Sequence, residues 1–383
     1  MHALSDVIGV FTNRIATSSQ PGVVSATADS SAALGNHIIT VGNLATTSSY
    51  YTGALANSST TFSTGSFTLQ VGSNSPATVS VDGTNNTLDK LAAYINAQNY
   101  GLSASVVHDA SGARLALVSQ TTGQPGDISI SGNTTGLSYT KSAAGTNASL
   151  AIDNVPITST SNTVTGALPG VTLQLMGQSA TPVQLSVAAD SKGIQLAVHN
   201  FVDSYNAVIA AINVQYKVDP NTYVAGELAS DSTLRSVQAS LLSDVTYSIS
   251  DNSGITGLAS IGVNMQDDGT LTVDDTKLTS ATSNHLPQVQ NLFQSVNPTG
   301  FGSNFAADLT RMTSSAGLIQ SDLAQIAKTQ KTLADQISQL EDQLAVKQTR
   351  LINQYSQVNA ALQEFPLLMQ AITGQLSALS NKS

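Results

Sequence analysis

Apolar and polar positions change rhythm several times along this chain, and the last rhythm is the clearest. From Ile319 to Phe365 large apolar residues recur at steps of four and three: Ile319, Leu323, Ile326, Leu333, Ile337, Leu340, Leu344, Leu351, Val358 and Phe365. They fill the a and d seats of a heptad repeat, which predicts a long coiled-coil helix, roughly 70 Å at 1.5 Å per residue. Gln330, Lys347 and Gln354 take seats where an apolar side chain packs best, and Ala361 is small. A polar seat costs stability and can fix register or partner number. Two readings stay open: a seam that exchanges partners, or a bundle helix with a few wet positions. In both, the stripe needs another helix of this chain or of a partner, so the pattern predicts a protein that works by assembling. Pro366 lacks a backbone donor and predicts a kink or an end near Phe365. Beyond it, Leu367, Leu368, Ile372, Leu376 and Leu379 offer a second short stripe.

Other stretches carry the same helical period. Residues 4–16, with Val7, Phe11 and Ile15, read as a short amphipathic helix. Residues 194–216 present a broad apolar face that includes Phe201, Val202, Tyr205, Ile209 and Ile212, the candidate packing face of a leg helix. Residues 231–243 read as a helix capped by Asp231, and 287–295 and 301–314 as further helices. The middle alternates with period two instead. The segment 37–41 reads as a strand, and Ser and Thr dominate 45–64, a loop or edge region. Strands are predicted at 66–71, 77–81, 102–107, 114–119 and 127–131, around a helix at 87–98 capped by Thr87. A second strand-rich stretch covers 149–187, and Asp268-Gly269 marks a hairpin within 261–274.

This order predicts an α+β multidomain chain: a β-rich head of two domains, one inserted in the other, on a helical-bundle leg that ends in the coiled coil. The expected divisions are 1–36 as the N-terminal part of the leg, 37–62 with 136–189 as the β-rich head domain, and 63–135 as the inserted α/β domain. Residues 190–318 form the leg with its hairpin, and 319–383 the C-terminal coiled-coil helix.

Composition narrows the function more than the fold. At 383 residues the chain is too long for one core. Only 10% of residues are charged, the formal net charge is −10, and no basic patch supports nucleic-acid binding. With no cysteine, a disulfide framework or a thiolate metal site is excluded. No apolar run approaches the ~20 residues of a membrane-spanning helix, so no membrane insertion is expected. The start lacks the basic and long apolar regions of a signal peptide. Catalytic constellations are missing too. His2, His37, His108, His199 and His285 are scattered without ligand spacing, and no nucleophile elbow, phosphate loop or dinucleotide fingerprint occurs. Asp267, Asp268, Asp274 and Asp275 flank the hairpin without the ligand pattern of a calcium loop, which favours turn and cap roles. No enzyme, no cofactor and no metal are expected.

Several blocks in order resemble the flagellar hook-associated protein 2 family, the filament caps of bacterial flagella. They are VSATADSSAALGNHIITVGNLA (24–45 region, starting at Val24), SNTVTGALPGVTLQL (161–175), FVDSYNAVIAAI (201–212), AGELASDSTLRSVQASL (225–241), IGVNMQDDGTLTVD (261–274) and VQNLF (289–293), closed by the coiled coil. The resemblance implies a secreted protein, exported unfolded through the flagellar type III apparatus, and so an export chaperone as an earlier partner. It implies a ring-like homo-oligomer at the filament tip that promotes flagellin folding and insertion and prevents monomer loss. It implies host mucin as a partner in some bacteria. Only about 22 residues precede the first block, where the family carries a longer helical region that pairs with the coiled coil. The chain thus reads as a shortened version, with the partner of Ile319–Phe365 left open. The alternatives are a hook–filament junction or flagellin-like subunit, and a glycan- or mucin-binding adhesin head.

Overall fold

The computed structural model describes residues 2–6, 9–296 and 299–380. Along the chain, a short helix α1 (His2–Ser5) and a 3-10 turn at Val10–Thr12 lead into strands β1 (Arg14–Ser18), β2 (Val24–Ala28) and β3 (Gly35–Asn43). Next come β4 (Thr47–Thr52), β5 (Gly65–Val71), β6 (Ala77–Val81), helix α2 (Leu88–Ala97), β7 (Leu102–Asp109), β8 (Gly112–Thr122), β9 (Ile128–Ser131) and β10 (Tyr139–Ala143). Strands β11 (Ala148–Ile152), β12 (Val155–Ser159), β13 (Thr163–Leu168), β14 (Val171–Leu175) and β15 (Val183–Ala189) follow. The rest is mainly helical: α3 (Ser191–Tyr216), α4 (Ser232–Val245), the hairpin β16 (Val263–Met265) and β17 (Leu271–Val273), α5 (Asp275–Asn284), α6 (Leu286–Gln294), α7 (Phe301–Thr313) and α8 (Leu318–Ser380).

The chain is α+β and multidomain, with three separate apolar cores. In the first head domain a five-stranded sheet, ordered β1-β15-β3-β11-β12, and a three-stranded sheet, β13-β14-β2, share one core. Alternation builds it: β15 buries Val183, Leu185 and Val187 and turns the residues between them outward. In the insert, a four-stranded sheet β10-β4-β8-β7 and a three-stranded sheet β6-β5-β9 enclose α2. Thr87 caps α2 by accepting from Lys90 N–H at 3.4 Å, and Leu88, Leu91, Ala92 and Ile95 are buried. The leg core unites α1, α3–α7 and the hairpin. Asp190, Asp231 and Asp274 accept backbone N–H groups at the starts of α3, α4 and α5. Gly269 takes φ 82° in the hairpin turn, the left-handed region that glycine enters without penalty.

The front of the chain differs from expectation. Of residues 1–36, expected as the N-terminal part of the leg, only α1 and the 3-10 turn pack in the leg core, while β1, β2 and the start of β3 belong to the head sheets. Of the amphipathic helix read over 4–16, Val7 lies outside the described residues, Phe11 sits buried in the 3-10 turn, and Ile15 is 45% exposed in β1. Antiparallel pairing of Arg14–Ser18 with β15 overrides the local period, and β2 pairs with β14. The insert is also larger than 63–135. Strand β4, expected as loop or edge, lies between β10 and β8, and β10 joins the same sheet. Their inward aromatics explain this: Tyr50 and Tyr139 pack on the insert's core, with Tyr139 5.1 Å from the Phe67 ring. Pro366 does not end α8, which runs through it to Ser380.

Candidate functional site

The face built by α3 is fixed by aromatic packing. Phe201, Val202, Tyr205, Ile209 and Ile212 are all buried in the leg core. Phe201 meets Phe301 at 5.6 Å and Phe305 at 5.3 Å, both edge to face, the favoured geometry of ring quadrupoles. These contacts hold α7 against α3, and α7 hands the chain to α8 across only residues 314–317.

Helix α8 is 63 residues long, yet only its first turns lie against the leg. Ile319 is half-buried, and with Leu323 and Ile326 it lines an apolar groove against Val208 and Ala211 of α3 and Val237 of α4. Beyond the groove Leu333, Ile337, Leu340, Leu344, Leu351, Val358 and Phe365 are all exposed, from 46% at Leu351 to 65% at Leu344. The structure therefore places the whole predicted seam on one helix and leaves it uncovered from Leu333 onward. Left in water, each such leucine forgoes about 1.5–3 kcal/mol relative to full burial. Sequence reading missed the flank of the stripe. Tyr355 and Leu362, also exposed, follow the Gln354 and Ala361 seats directly, so the apolar surface widens where the a and d seats weaken. The signal was present as apolar residues at e positions.

The candidate chemistry resolves into structural roles. His199 Nε2 lies 2.8 Å from Asp275 Oδ1, and His37 Nδ1 lies 2.8 Å from Asp153 Oδ2. Asp268 accepts from Thr270 N–H inside the hairpin turn, and Asp274 caps α5. Hydrogen bonds from Thr270, side chain first and then backbone, hold the Asp268 carboxyl below the usual carboxylate range. Among the described residues no cluster of three or more His, Asp or Glu side chains forms a metal site, and no helix is long and apolar enough to cross a membrane.

Comparison with known proteins agrees with this architecture. The family description "Flagellar hook-associated protein 2 C-terminus" matches residues 145–365, and "Flagellar hook-associated protein 2 N-terminus" matches residues 1–48. A "Flagellin hook IN motif" matches residues 66–121, inside the insert. The chain is 29% identical to the B-type flagellar hook-associated protein 2 of Pseudomonas aeruginosa, over 97% of this chain and 84% of that protein. It is 28% identical to flagellar hook-associated protein 2 of Escherichia coli K12, over 95% of this chain and 84% of that protein. The crystal structure of the flagellar cap protein FliD D1-D2-D3 domains from Escherichia coli superposes with a TM-score of 0.61 at 28% identity, covering 84% of this chain and 93% of that one. The C-terminal match alone spans more than half of the chain, through head strands β11 to β15, the helices of the leg from α3 onward and the seam, and the chain belongs to the flagellar hook-associated protein 2 family.

Proposed function

We propose that this chain is a subunit of a flagellar filament cap, a structural protein rather than an enzyme, standing outside the cell at the filament tip. The observation that carries the reading is the uncovered seam of α8, on a leg whose relatives are flagellar hook-associated proteins and flagellar cap proteins. A stripe that stays wet in the isolated chain supports helix partners met at the filament end, where subunits join by burying apolar surface. The polar seats Gln330, Lys347 and Gln354 weaken that pairing and suit contacts that form and break as subunits are added. In this reading several copies form a ring, flagellin folds and inserts beneath it, and monomers are kept from escaping. Before assembly the same stripe needs cover, which supports an export chaperone bound to α8 on the way through the type III apparatus.

Light scattering across a concentration series, with electron microscopy of the same samples, tests the assembly step. Closed rings that support filament growth when flagellin is added are expected. Open filaments of this chain alone would instead favour a junction or flagellin-like subunit. A monomer at every concentration that also fails to support growth would reject the cap reading for this chain.

A further inference from the structure

The last turn of α4 buries an acid. Asp244 is 4% exposed, its Oδ1 accepts only a long bond from Asn304 Nδ2 at 3.4 Å, and its Oδ2 is buried with no donor. Asn304 and Asp308 stand one turn apart on the same face of α7, so the next α7 side chain toward this carboxyl is a second carboxyl, Asp308, which is itself ion-paired with Arg311. Two ionised carboxylates offer only acceptors to each other, so the contact needs a proton. From α3 the facing group is the Tyr205 phenol, also buried without a partner. Burial first, and then the charge of Asp244, push that phenol up to about 12. On α8, the charged residue lining the groove beside α4 is Asp322, which sits with Asp231 at the opposite end of α4, roughly 20 Å away along the axis.

We propose that Asp244 and Asp308 form a proton-operated clamp that holds α4 to α7 within the leg. One proton between the carboxyls ties the helices together. Its loss sets two negative charges against each other in a site with one exposed arginine to offset them. Burial, then the hydrogen bond to Asp308 and its charge, raise Asp244 to about 7, against a smaller opposing effect of Arg311. The unfolded carboxyl titrates near 3.8. The folded state therefore holds the proton more tightly, and the clamp's contribution, complete in acid, is lost as pH rises through about 7.

Hydrogen exchange on the full chain at about pH 5.5 and about pH 8.5, corrected for intrinsic rates, reads the clamp directly. The expected result is that protection in 232–245 and 301–313 falls on the order of tenfold at the higher pH, and that Asp244→Asn abolishes most of this fall. Asp308→Asn removes the facing charge and should shrink the fall, which keeps the test alive if Asp244→Asn does not fold. Equal protection at both pH values in the unmodified chain, or an undiminished fall in both variants, would overturn the proposal.

Discussion

Asn162 grips Ala45 with both ends of its side-chain amide. Ala45 N–H donates to Asn162 Oδ1 at 2.7 Å, and Asn162 Nδ2 donates to the Ala45 carbonyl at 2.9 Å. Ala45 lies where the chain leaves β3 for the insert, and Asn162 stands just before β13 in the first head domain. Beside them Asn43 Nδ2 donates to the Asn147 carbonyl at 2.7 Å, and Thr46 N–H to the Thr146 carbonyl at 3.0 Å. The outgoing and returning straps of the insert are thereby tied to each other and to one head domain.

Replacing Asn162 by alanine removes both bonds and leaves a largely buried peptide group of Ala45 without partners. The expected cost is about 1–3 kcal/mol in the first head domain. Urea unfolding followed by a probe in the β1-β15-β3-β11-β12 sheet should show the midpoint fall. Asn162→Asp keeps the acceptor and loses the donor, so it should fall less. An unchanged midpoint for Asn162→Ala would mean that solvent replaces the clasp without loss.

The leg core answers to a different residue. Phe201 is 5% exposed and its ring contacts Tyr205, Phe301 and Phe305. Phe201→Ala should cost about 3–5 kcal/mol, the range for emptying a buried aromatic site. The three cores are separate, so amide protection in β14 and α2 should hold while that in α3 and α7 drops. A uniform loss across all three would show that the cores unfold as one unit.

The reach of sequence reading follows from which physics set each element. The face of α3 was legible because its burial is apolar and periodic, so Phe201 through Ile212 repeat at helical spacing. Strand β4 was not, because its buried residues are polar. Ser48 and Thr52 are fully buried and satisfied across the sheet, Ser48 by donating to the Ala143 carbonyl and Thr52 by accepting Leu115 N–H. A pattern of Thr, Ser and Tyr gives no alternation to read. The role of Asn162 hid for a related reason: it is visible in the block 161–175 that resembles the family, but its partner lies 117 residues away. Likewise nothing local marks Asp244 as buried, since Asp308 meets it only through tertiary packing.

Acid should loosen the head while the leg clamp tightens. Hydrogen bonds from His37, and then from Ile38 N–H, hold Asp153 below the usual carboxylate range of 3.8. Ser31 does the same for Asp29, and Thr84 for Asp82. A carboxyl lowered in the folded state stabilises above its unfolded value and loses that contribution as pH falls through its folded value. Head stability should therefore decline below about pH 4, the opposite direction to Asp244. Following β12 and α7 separately by hydrogen exchange across an acid titration checks the contrast. The same pH trend in both would contradict it.

The seam offers the sharpest separation of folding from function. Leu340 is 59% exposed and Leu344 is 65% exposed, so each side chain already meets water in the isolated chain. Leu340→Asp and Leu344→Asp should therefore leave its stability within about 0.5 kcal/mol, the usual range for surface substitutions. If partner helices cover the stripe, the same changes bury a charge at the contact, and assembly should fail together with filament growth. The reverse substitution sharpens the argument. Lys347→Leu repairs a polar seat, so it should tighten assembly and slow subunit exchange. Cells in which a tighter cap grows shorter filaments would show that the flaw is used, because a seam repaired at this seat releases its contacts more slowly. Normal assembly and growth with Leu340→Asp would remove the seam from the mechanism, however regular its heptads are.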